Sequence, residues 1–283
     1  MNLNRYYARV KVSELTKGEE VVIKTIIFDL DDTLLWDEKS VKDAFEGTCN
    51  VAAEKYNLDP QELEERVRAN ARIIYADYPT YEFTKMIGIN PFEGLWGEFP
   101  DEGGMFPELR KLAPTYRKDS WTKGLEDLGV DDPAFGEELG ETFPEMRKKT
   151  ARLYLDTIQL LDALKDKYEM VLLTNGSPAL QNLKLELTPT LAPYFEHIVI
   201  SGEFGRGKPD TSIFEHVLEL VEKDKEDVLM VGDNLNTDIL GAVRTGITSV
   251  WINRKGAIAE KVRPEYEINE LMDLLPLLDR INS

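Results

Sequence analysis

The chain has 283 residues, is 42% hydrophobic and carries a formal net charge of −19. This length suits one large or two ordinary domains, and no stretch approaches the roughly 18 consecutive apolar residues of a membrane span or resembles a signal peptide. From these two features we expect a cytoplasmic protein. Because the negative charge repels nucleic acid and anionic membranes, we expect the protein to bind neither and to need a local positive site for any anionic substrate.

The cysteine and histidine content restricts the chemistry. A single cysteine, Cys49, excludes an internal disulfide, and the two histidines, His197 and His216, lie in distant segments. This argues against a zinc site or a Cys/His nucleophile, so we expect both histidines to be structural and Cys49 to pack on an apolar helix face. Any catalysis must therefore depend on carboxylates.

The first strongly apolar segment, VVIKTIIFDL at residues 21–30, predicts a buried strand. It runs directly into three carboxylates within four positions, Asp29, Asp31 and Asp32. A buried strand has no structural need for acids at its end, so this arrangement indicates a chemical role.

From residue 37 to about 150 the sequence has helical periodicity and no β-branched runs. Residues 37–58 predict one helix. The next helix is predicted to begin with Asp59 as its N-cap, Pro60 in the first turn and Glu62 completing a capping box.

The middle of this helical segment, residues 86–104, is rich in glycine, proline and aromatic residues. We expect it to be an ordered loop, because its large apolar side chains would be poorly solvated: Phe92, Leu95, Trp96 and Phe99. Trp96 is expected in the core of the helical segment rather than in contact with substrate.

From about residue 151 onward, apolar runs alternate with helical segments. A helix is predicted at 157–168, and strands at 169–176, 197–201, 227–233 and 248–252. Together with the first strand, these make five buried strands joined mainly by helices. The pattern predicts an α/β fold with a parallel sheet covered by helices on both faces.

Polar residues follow the strands of this predicted sheet. Asp29, Thr174, Lys208 and Asp233 lie at or just past four strand ends, and Asp238 follows shortly after. Ligands bind at the carboxyl ends of strands in such sheets, so these side chains should share one rim. At about 4 Å and an effective dielectric of about 20, two carboxylates repel by roughly 4 kcal/mol. A divalent cation with oxygen ligands would remove this repulsion, and Mg²⁺ is the usual ion beside phosphate.

Four motifs in this order resemble those of the haloacid dehalogenase superfamily. They are DLDDT at residues 29–33, Thr174 after an apolar strand, GKPD at residues 207–210, and Gly232-Asp233 followed by Asp238. The resemblance covers residues 21 to about 275. One such motif would be a weak signal, whereas four in order at strand ends are a strong one.

The resemblance implies a domain organisation. Residues 21–36 and 151–283 would form a Rossmann-like, doubly wound catalytic core, and residues 37–150 an inserted, all-helical C1 cap. Since this fold normally starts with its first strand, residues 1–20 would be an N-terminal appendage. Their deletion is expected to change the melting temperature and turnover little.

The resemblance also implies a role for each motif residue. Asp29 would be the nucleophile that forms an aspartyl-phosphate, and Asp31 the general acid and base. The phosphate would be bound by Thr174, Lys208 and the amides around Asn175 and Gly176. Mg²⁺ would be bound by Asp29, the backbone carbonyl of Asp31 and Asp233, supported by Asn234 and Asp238.

Several of these residues also have structural interpretations. Thr33 could simply cap the turn after the first strand, and Asp32 reads as a solvated turn residue rather than a ligand. Asp238 could be the N-cap of the following helix, a role compatible with a second one.

Other classes of protein fit the sequence less well. A signalling receiver domain has its acid pair on the first strand but its phosphoacceptor on the third. Dehalogenases of the same fold lack the second acid of the first motif, so Asp31 favours phosphate as the substrate group. A non-catalytic phosphate-binding module should have lost a motif, and all four are present.

The expected substrate is a small phosphomonoester, because a cap that closes over the site disfavours phosphoproteins. The general resemblance of the long cap favours phosphoserine, with nucleoside monophosphates and sugar phosphates as alternatives. Phosphoserine requires an acid for its ammonium group and a cation for its carboxylate. The candidate cations are Arg66, Arg68, Arg72 and Arg147.

Overall fold

The computed structural model describes residues 22–283, so the predicted appendage, residues 1–20, lies outside the described residues. Six parallel strands form one sheet in the order β3-β2-β1-β4-β5-β6. The strands are β1 (Thr25–Phe28), β2 (Glu169–Thr174), β3 (His197–Ile200), β4 (Val228–Gly232), β5 (Thr248–Ile252) and β6 (Tyr266–Ile268). The predicted parallel α/β fold is confirmed.

Twelve α-helices accompany these strands within the described residues. They are α1 (Asp37–Tyr56), α2 (Pro60–Asp77), α3 (Tyr81–Ile87), α4 (Pro91–Gly94), α5 (Phe106–Glu126), α6 (Pro133–Thr150), α7 (Thr157–Leu164), α8 (Pro178–Leu187), α9 (Ser201–Phe204), α10 (Thr211–Val221), α11 (Leu240–Thr245) and α12 (Leu274–Ile281). A π-helical turn, Leu235–Ile239, leads into α11. Helices α1 to α6 all precede α7, which gives the inserted all-helical segment that the sequence predicts.

The residues of β1 explain why helices cover both faces of the sheet. Ile26, Ile27 and Phe28 are all fully buried. Ile26 and Phe28 pack in a cluster with residues of α7 and α12, whereas Ile27 packs in another with residues of α10 and α11. Successive strand side chains point to opposite faces, so a continuous apolar run requires a helical layer on each side.

The sixth strand is absent from the sequence prediction. β6 has three residues, of which only Ile268 is buried, and its central residue is the exposed Glu267. It pairs with β5 at the edge of the sheet. A short edge strand with a charged centre lacks the apolar run by which buried strands are recognised.

The start of α2 differs from the prediction in one detail. Asp59 is the N-cap and accepts a hydrogen bond from the Gln61 amide, with Pro60 as the first helical residue. Glu62 does not complete the predicted capping box, since its carboxylate accepts from Arg66 at 3.3 Å. A neighbouring cation one turn along the helix competes successfully for an exposed glutamate.

Helices α1 to α6 share one hydrophobic cluster, which contains Phe45, Cys49 and Trp121 with no exposed surface. Cys49 therefore packs as predicted. The loop at 86–104 contains α4 and contributes buried Leu95, Trp96 and Phe99, with Phe92 partly buried. Trp96 lies in this cluster, as expected, and it also lines the chamber described below.

The separation of this cluster from the two clusters of the sheet supports the proposed division into core and cap at residues 36/37 and 150/151. Two side chains of α8 cross the division: Leu180 belongs to the cap cluster, and the partly buried Leu183 packs against it. In the part of the chain that the structure describes, no helix has the length and apolar character needed to cross a membrane.

Candidate active site

The topology brings the motif residues to one rim of the sheet. β1 lies between β2 and β4, so the residues that follow these three strands are neighbours. Asp29 follows β1, Thr174 ends β2 and Asp233 follows β4. Lys208 enters the same region from the loop between α9 and α10.

Lys208 is the cation at the centre of the site. Its side chain is 1% exposed, and its ammonium group lies 2.6 Å from Asp29 Oδ1, 2.8 Å from Asp238 Oδ1 and 2.6 Å from the Leu173 carbonyl oxygen. Three acceptors match the three N–H donors of an ammonium group. The backbone of Lys208 is held as well, because the Asn175 side chain accepts from its amide and donates to its carbonyl group.

Thr33 links the two acidic strand ends rather than only capping a turn. Its hydroxyl group donates to Asp29 Oδ2 at 3.1 Å and accepts from the Asp233 amide at 3.1 Å. Thr33 is fully buried, so these two contacts satisfy it. The residue therefore fixes the position of Asp29 relative to the loop after β4.

The acids Asp29, Asp233 and Asp238 form a cluster in which one carboxylate oxygen from each lies within 4.8 Å of the other two. Burial, with the neighbouring carboxylates, raises the pKa of Asp29 to about 7 although Lys208 opposes this, and raises the pKa of Asp233 to about 9. Acids that are this difficult to ionise together suit a hard divalent cation. The cluster could bind such a metal ion.

Asp31 lies beside the cluster but points to a different set of partners. Its Oδ2 atom accepts from Lys184 at 2.7 Å and from Gln181 at 3.1 Å. Its Oδ1 atom is buried and has no hydrogen-bond partner. Two acids separated by one residue are thus held by different cations, Lys208 for Asp29 and Lys184 for Asp31.

Of the residues predicted to bind phosphate, Thr174 keeps the best position. It is 1% exposed, and its hydroxyl oxygen accepts from Gln181 at 2.6 Å. The Gly176 amide is already hydrogen-bonded to the Ile87 carbonyl oxygen and to Ser201. The Gly176 amide is therefore not free for phosphate. The side chain of Asn175 binds the Lys208 backbone, and its backbone amide, the group predicted to bind phosphate, stays a prediction.

The two residues predicted to support the metal ion have structural roles in the loop after β4. Asp238 does not cap α11, whose N-cap position is Ile239. Asn234 is the N-cap of the preceding π-helical turn, since its side chain accepts from the Asn236 amide. Asp238 is 1% exposed inside the π-helical turn, where Oδ2 accepts from the Asn234 amide at 3.0 Å. The other oxygen of Asp238 accepts from Lys208, so Asp238 connects the ammonium group of Lys208 to the loop after β4.

A chamber of about 480 Å³ is lined by residues of the helical segment together with Asp32 and Lys255 of the core, whereas Asp29, Lys208 and Asp233 do not line it. Its charged lining residues are Asp32, Asp37, Glu38, Lys42, Glu64, Arg68, Glu93, Arg147 and Lys255. Asp32 is a turn residue at φ 58, as expected, but it is partly buried rather than solvated, and burial raises its pKa to about 7.

Two of the four candidate arginines, Arg68 and Arg147, line this chamber. Arg66 is exposed on α2, and Arg72 lines a neighbouring cavity of about 430 Å³. Arg147 lines the chamber, but its guanidinium group donates to Asp37 and Ser40 at 2.6 Å each. Arg68 also lines the chamber. Its guanidinium carbon lies 4.1 Å from the centre of the Phe45 ring.

Sequence reasoning missed three residues of the site: Gln181, Lys184 and Glu93. Gln181 and Lys184 are one turn apart on α8 and are fully buried or nearly so. Glutamine and lysine at adjacent turns of an otherwise apolar face are an available signal, because neither is normally buried without a partner. Glu93 reads from the sequence only as the third residue of an Asn-Pro-Phe-Glu capping box.

An acid cluster, a buried lysine and a threonine at the ends of parallel strands, below a helical insert, define a hydrolase site for an anionic substrate group. The model of the haloacid dehalogenase-like hydrolase family matches residues 23–246. The chain therefore belongs to this family, and the resemblance inferred from the four motifs is confirmed.

Relatives support the same conclusion over nearly the whole chain. A phosphoserine phosphatase from Thermus thermophilus is 32% identical over 254 residues, which are 89% of this chain and 98% of the relative. A glyceraldehyde 3-phosphate phosphatase from Pyrococcus abyssi is 34% identical over 277 residues, which are 93% and 96% of the two chains. The solved structure of the HAD-hydrolase YfnB from Bacillus subtilis has a TM-score of 0.62 at 23% identity and covers 91% of this chain and 99% of its own, which shows a common fold.

Proposed function

We propose that this enzyme hydrolyses a small phosphomonoester through an aspartyl-phosphate on Asp29, with Mg²⁺ as its cofactor. Its curated relatives are phosphatases, so the chain is a phosphatase of the haloacid dehalogenase type. The observation that carries the mechanism is the separate fixation of Asp29 on Lys208 and Asp31 on Lys184. Two carboxylates with different partners are suited to two different tasks.

The first chemical step forms the aspartyl-phosphate. A carboxylate oxygen of Asp29 attacks phosphorus while the bond from phosphorus to the leaving oxygen breaks. Asp31, protonated at this stage, gives its proton to the leaving oxygen. Lys208 neutralises charge on Asp29 and on the transferring group, and the Thr174 hydroxyl group donates to a phosphate oxygen.

The second step restores the enzyme. Asp31, now a carboxylate, takes a proton from the water molecule that attacks phosphorus. The bond from phosphorus to Asp29 breaks, which releases inorganic phosphate and leaves Asp31 protonated for the next cycle. One carboxylate thus transfers a proton in both directions.

Asp29 and Asp233 are the side chains proposed to bind Mg²⁺, together with the backbone carbonyl of Asp31. Asp238 supports them through Lys208 and the Asn234 amide. When bound, the cation supplies positive charge that lowers the pKa values of the clustered acids and orients the phosphate group.

Phosphoserine is our leading candidate substrate. The chamber carries acids for an ammonium group and Arg68 for a carboxylate, and a phosphoserine phosphatase is among the relatives. Arg68 is pre-oriented, because its Nε donates to Glu64 at 2.7 Å and the guanidinium group stacks over Phe45. Nucleoside monophosphates and sugar phosphates are the alternatives.

Two variants test the mechanism with p-nitrophenyl phosphate. Asp29→Asn is expected to abolish turnover and to yield no phosphoenzyme. Asp31→Asn is expected to release a burst of about one p-nitrophenol per site and then turn over slowly, since this leaving group needs little protonation but the attacking water needs a base. Phosphate label on Asp31, or substantial turnover by Asp29→Asn, would contradict the assignment.

A substrate panel tests the specificity. The value of kcat/KM is expected to be highest for phosphoserine among phosphoserine, glyceraldehyde 3-phosphate and a pyrimidine nucleoside monophosphate. Arg68→Gln should raise KM for phosphoserine by about tenfold or more, the value of a hydrogen bond to a charged group. Arg66→Gln, on the exposed face of the same helix, is the control and should leave KM unchanged.

A further inference from the structure

A buried ion triad connects the cap segment to Asp31. Lys184 of α8 is 1% exposed, and its ammonium group lies 2.7 Å from Asp31 Oδ2 and 3.0 Å from Glu93 Oε1. Glu93 belongs to α4, within the inserted helical segment, and is 5% exposed. Neither Lys184 nor Glu93 has a role in the proposed chemical steps.

The geometry of Glu93 directs one oxygen to Lys184. Its Oε2 atom accepts from the Asn90 amide at 3.0 Å and from the Asn90 side chain at 3.1 Å, which completes the capping box of α4. Only Oε1 remains for the ammonium group of Lys184. The triad therefore depends on α4 being formed and on α4 being in contact with α8.

The geometry of Asp31 divides its two oxygens in the same way. Oδ2 accepts from both Lys184 and Gln181, and Gln181 also donates to Thr174. Oδ1 is buried without a partner. A general acid and base needs one oxygen held and one available, because a proton transfers efficiently only along a fixed direction.

We propose that Lys184 is a positioning residue that fixes Asp31 for proton transfer through Oδ1, and that Glu93 makes this positioning depend on contact between α4 and α8. The inference rests on the proposed function, since it takes Asp31 as the acid and base. When α4 is in place, Lys184 is held between two acids and has little rotational freedom. When α4 is displaced, the flexible side chain of Lys184 keeps only Asp31 as a partner within the triad. The direction of Asp31 Oδ1 is then less well defined.

The test compares two substrates of nearly the same shape, phenyl phosphate and p-nitrophenyl phosphate. Phenolate is the poorer leaving group and needs protonation by Asp31, whereas p-nitrophenolate does not. Because kcat/KM reports steps up to phosphoenzyme formation, it isolates this first proton transfer. Lys184→Met is expected to lower kcat/KM for phenyl phosphate by about 10²-fold, the cost of misplacing a reacting group by about 1 Å, and to change that for p-nitrophenyl phosphate little.

Glu93→Gln keeps the volume of the side chain and removes its charge. It is also expected to lower kcat/KM selectively for phenyl phosphate, by a smaller factor than Lys184→Met. Since Lys184→Met leaves the buried Glu93 without its cation, the double variant Lys184→Met/Glu93→Gln provides a second measurement in which Glu93 carries no unpaired charge. It should show the full selective loss.

Asp101→Asn is the matched control. Asp101 lies in the same inserted segment and also contacts the start of α8, where it accepts from Ser177 at 2.6 Å and from the Ala179 amide at 2.8 Å. It does not touch Asp31 or Lys184. Loss of this contact should change kcat/KM for the two substrates by the same factor, so the ratio of the two kcat/KM values should be unchanged.

The outcomes separate this inference from the proposed function. Suppose that Asp31→Asn lowers kcat/KM selectively for phenyl phosphate, but the Lys184 and Glu93 variants lower kcat/KM equally for both substrates or for neither. The positioning role is then wrong and the function stands. If Asp31→Asn itself shows no selectivity, the acid and base assignment fails first. A selective loss in all of these variants, with an unchanged ratio in Asp101→Asn, supports both.

Discussion

At the residue scale, Gly232 shows how closely the site is packed. A Cβ atom added to this glycine would lie 2.5 Å from the Cβ of Asp238. Asp238 cannot retreat without loss, because its carboxylate binds Lys208 at 2.8 Å and the Asn234 amide at 3.0 Å. The glycine of the fourth motif is therefore required by a contact with its own acid.

Gly232→Ala is expected to displace Asp238 and with it Lys208. Overpacking in a buried site typically costs about 1–3 kcal/mol, so the free energy of unfolding should fall by this amount. Turnover should fall by more than the fraction of protein that unfolds, because Lys208 also holds Asp29. Urea unfolding and p-nitrophenyl phosphate hydrolysis measure the two effects, and full activity in this variant would contradict the packing argument.

The residues of the site divide clearly by how they can be recognised. Asp29, Lys208 and Asp238 are predictable because motif spacing and strand ends place them at one rim. Lys184 and Glu93 are 91 positions apart, and the contact of 3.0 Å between them depends on how α4 packs against α8. No local pattern encodes such a contact, although a lysine on an apolar helix face indicates that some acid must be near.

At the scale of elements, the helical insert is held by very close helix packing. Gly136 of α6 faces α5, and a Cβ atom added to it would lie 2.8 Å from the Cα of Thr122. Because this neighbour is backbone, neither helix could yield without separating from the other. Glycine here serves close approach, at the cost of helix propensity.

Gly136→Ala is expected to lower the free energy of unfolding. Overpacking costs about 1–3 kcal/mol, which exceeds the 0.5–1 kcal/mol or so that alanine gains over glycine in a helix. Gly47→Ala in α1 is the control, since its added Cβ meets only the flexible Met146 side chain at 3.3 Å. In urea unfolding the control should be neutral or stabilised, and equal stability of the two variants would contradict this account.

The elements themselves are largely predictable, and the exceptions have physical causes. Long periodic helices and four-residue or longer apolar strands leave a clear pattern in the sequence. The four-residue α4 and the three-residue β6 are too short for a periodic pattern. α4 has only the local capping box of Asn90 and Glu93 and a contact with Lys184, and β6 depends on pairing with β5. Tertiary contacts decide such elements more than local propensity.

At the scale of the whole molecule, the acid cluster couples metal binding to stability and pH. Burial and neighbouring carboxylates raise the pKa of Asp29 to about 7 and that of Asp233 to about 9. In the unfolded chain both acids titrate near pH 3.9. The native state therefore binds more protons than the unfolded state between about pH 4 and about pH 9, so stability falls as pH rises through this window.

Mg²⁺ binds the ionised acids, and its effect should therefore grow with pH. In the presence of a chelator, we expect the melting temperature to fall as the pH rises from about 5 to about 9. Mg²⁺ should raise the melting temperature more at the higher pH. Chelation should also abolish phosphatase activity while the protein remains folded at neutral pH. Ca²⁺ should substitute poorly in activity, because its larger and less regular oxygen shell would misplace Asp29 for attack.

Asp233→Asn distinguishes the cluster from the general charge of the chain. The net charge of −19 also favours cation binding, but this effect is screened by salt and does not depend on one carboxylate. If the cluster is responsible, Asp233→Asn should flatten the pH dependence of the Mg²⁺-induced shift and stabilise the chelated protein at high pH. The Mg²⁺-induced shift in melting temperature could instead be equal at about pH 5 and about pH 9, or equal in the unmodified protein and Asp233→Asn. Either result would assign the effect to non-specific binding and contradict a metal ion at this site.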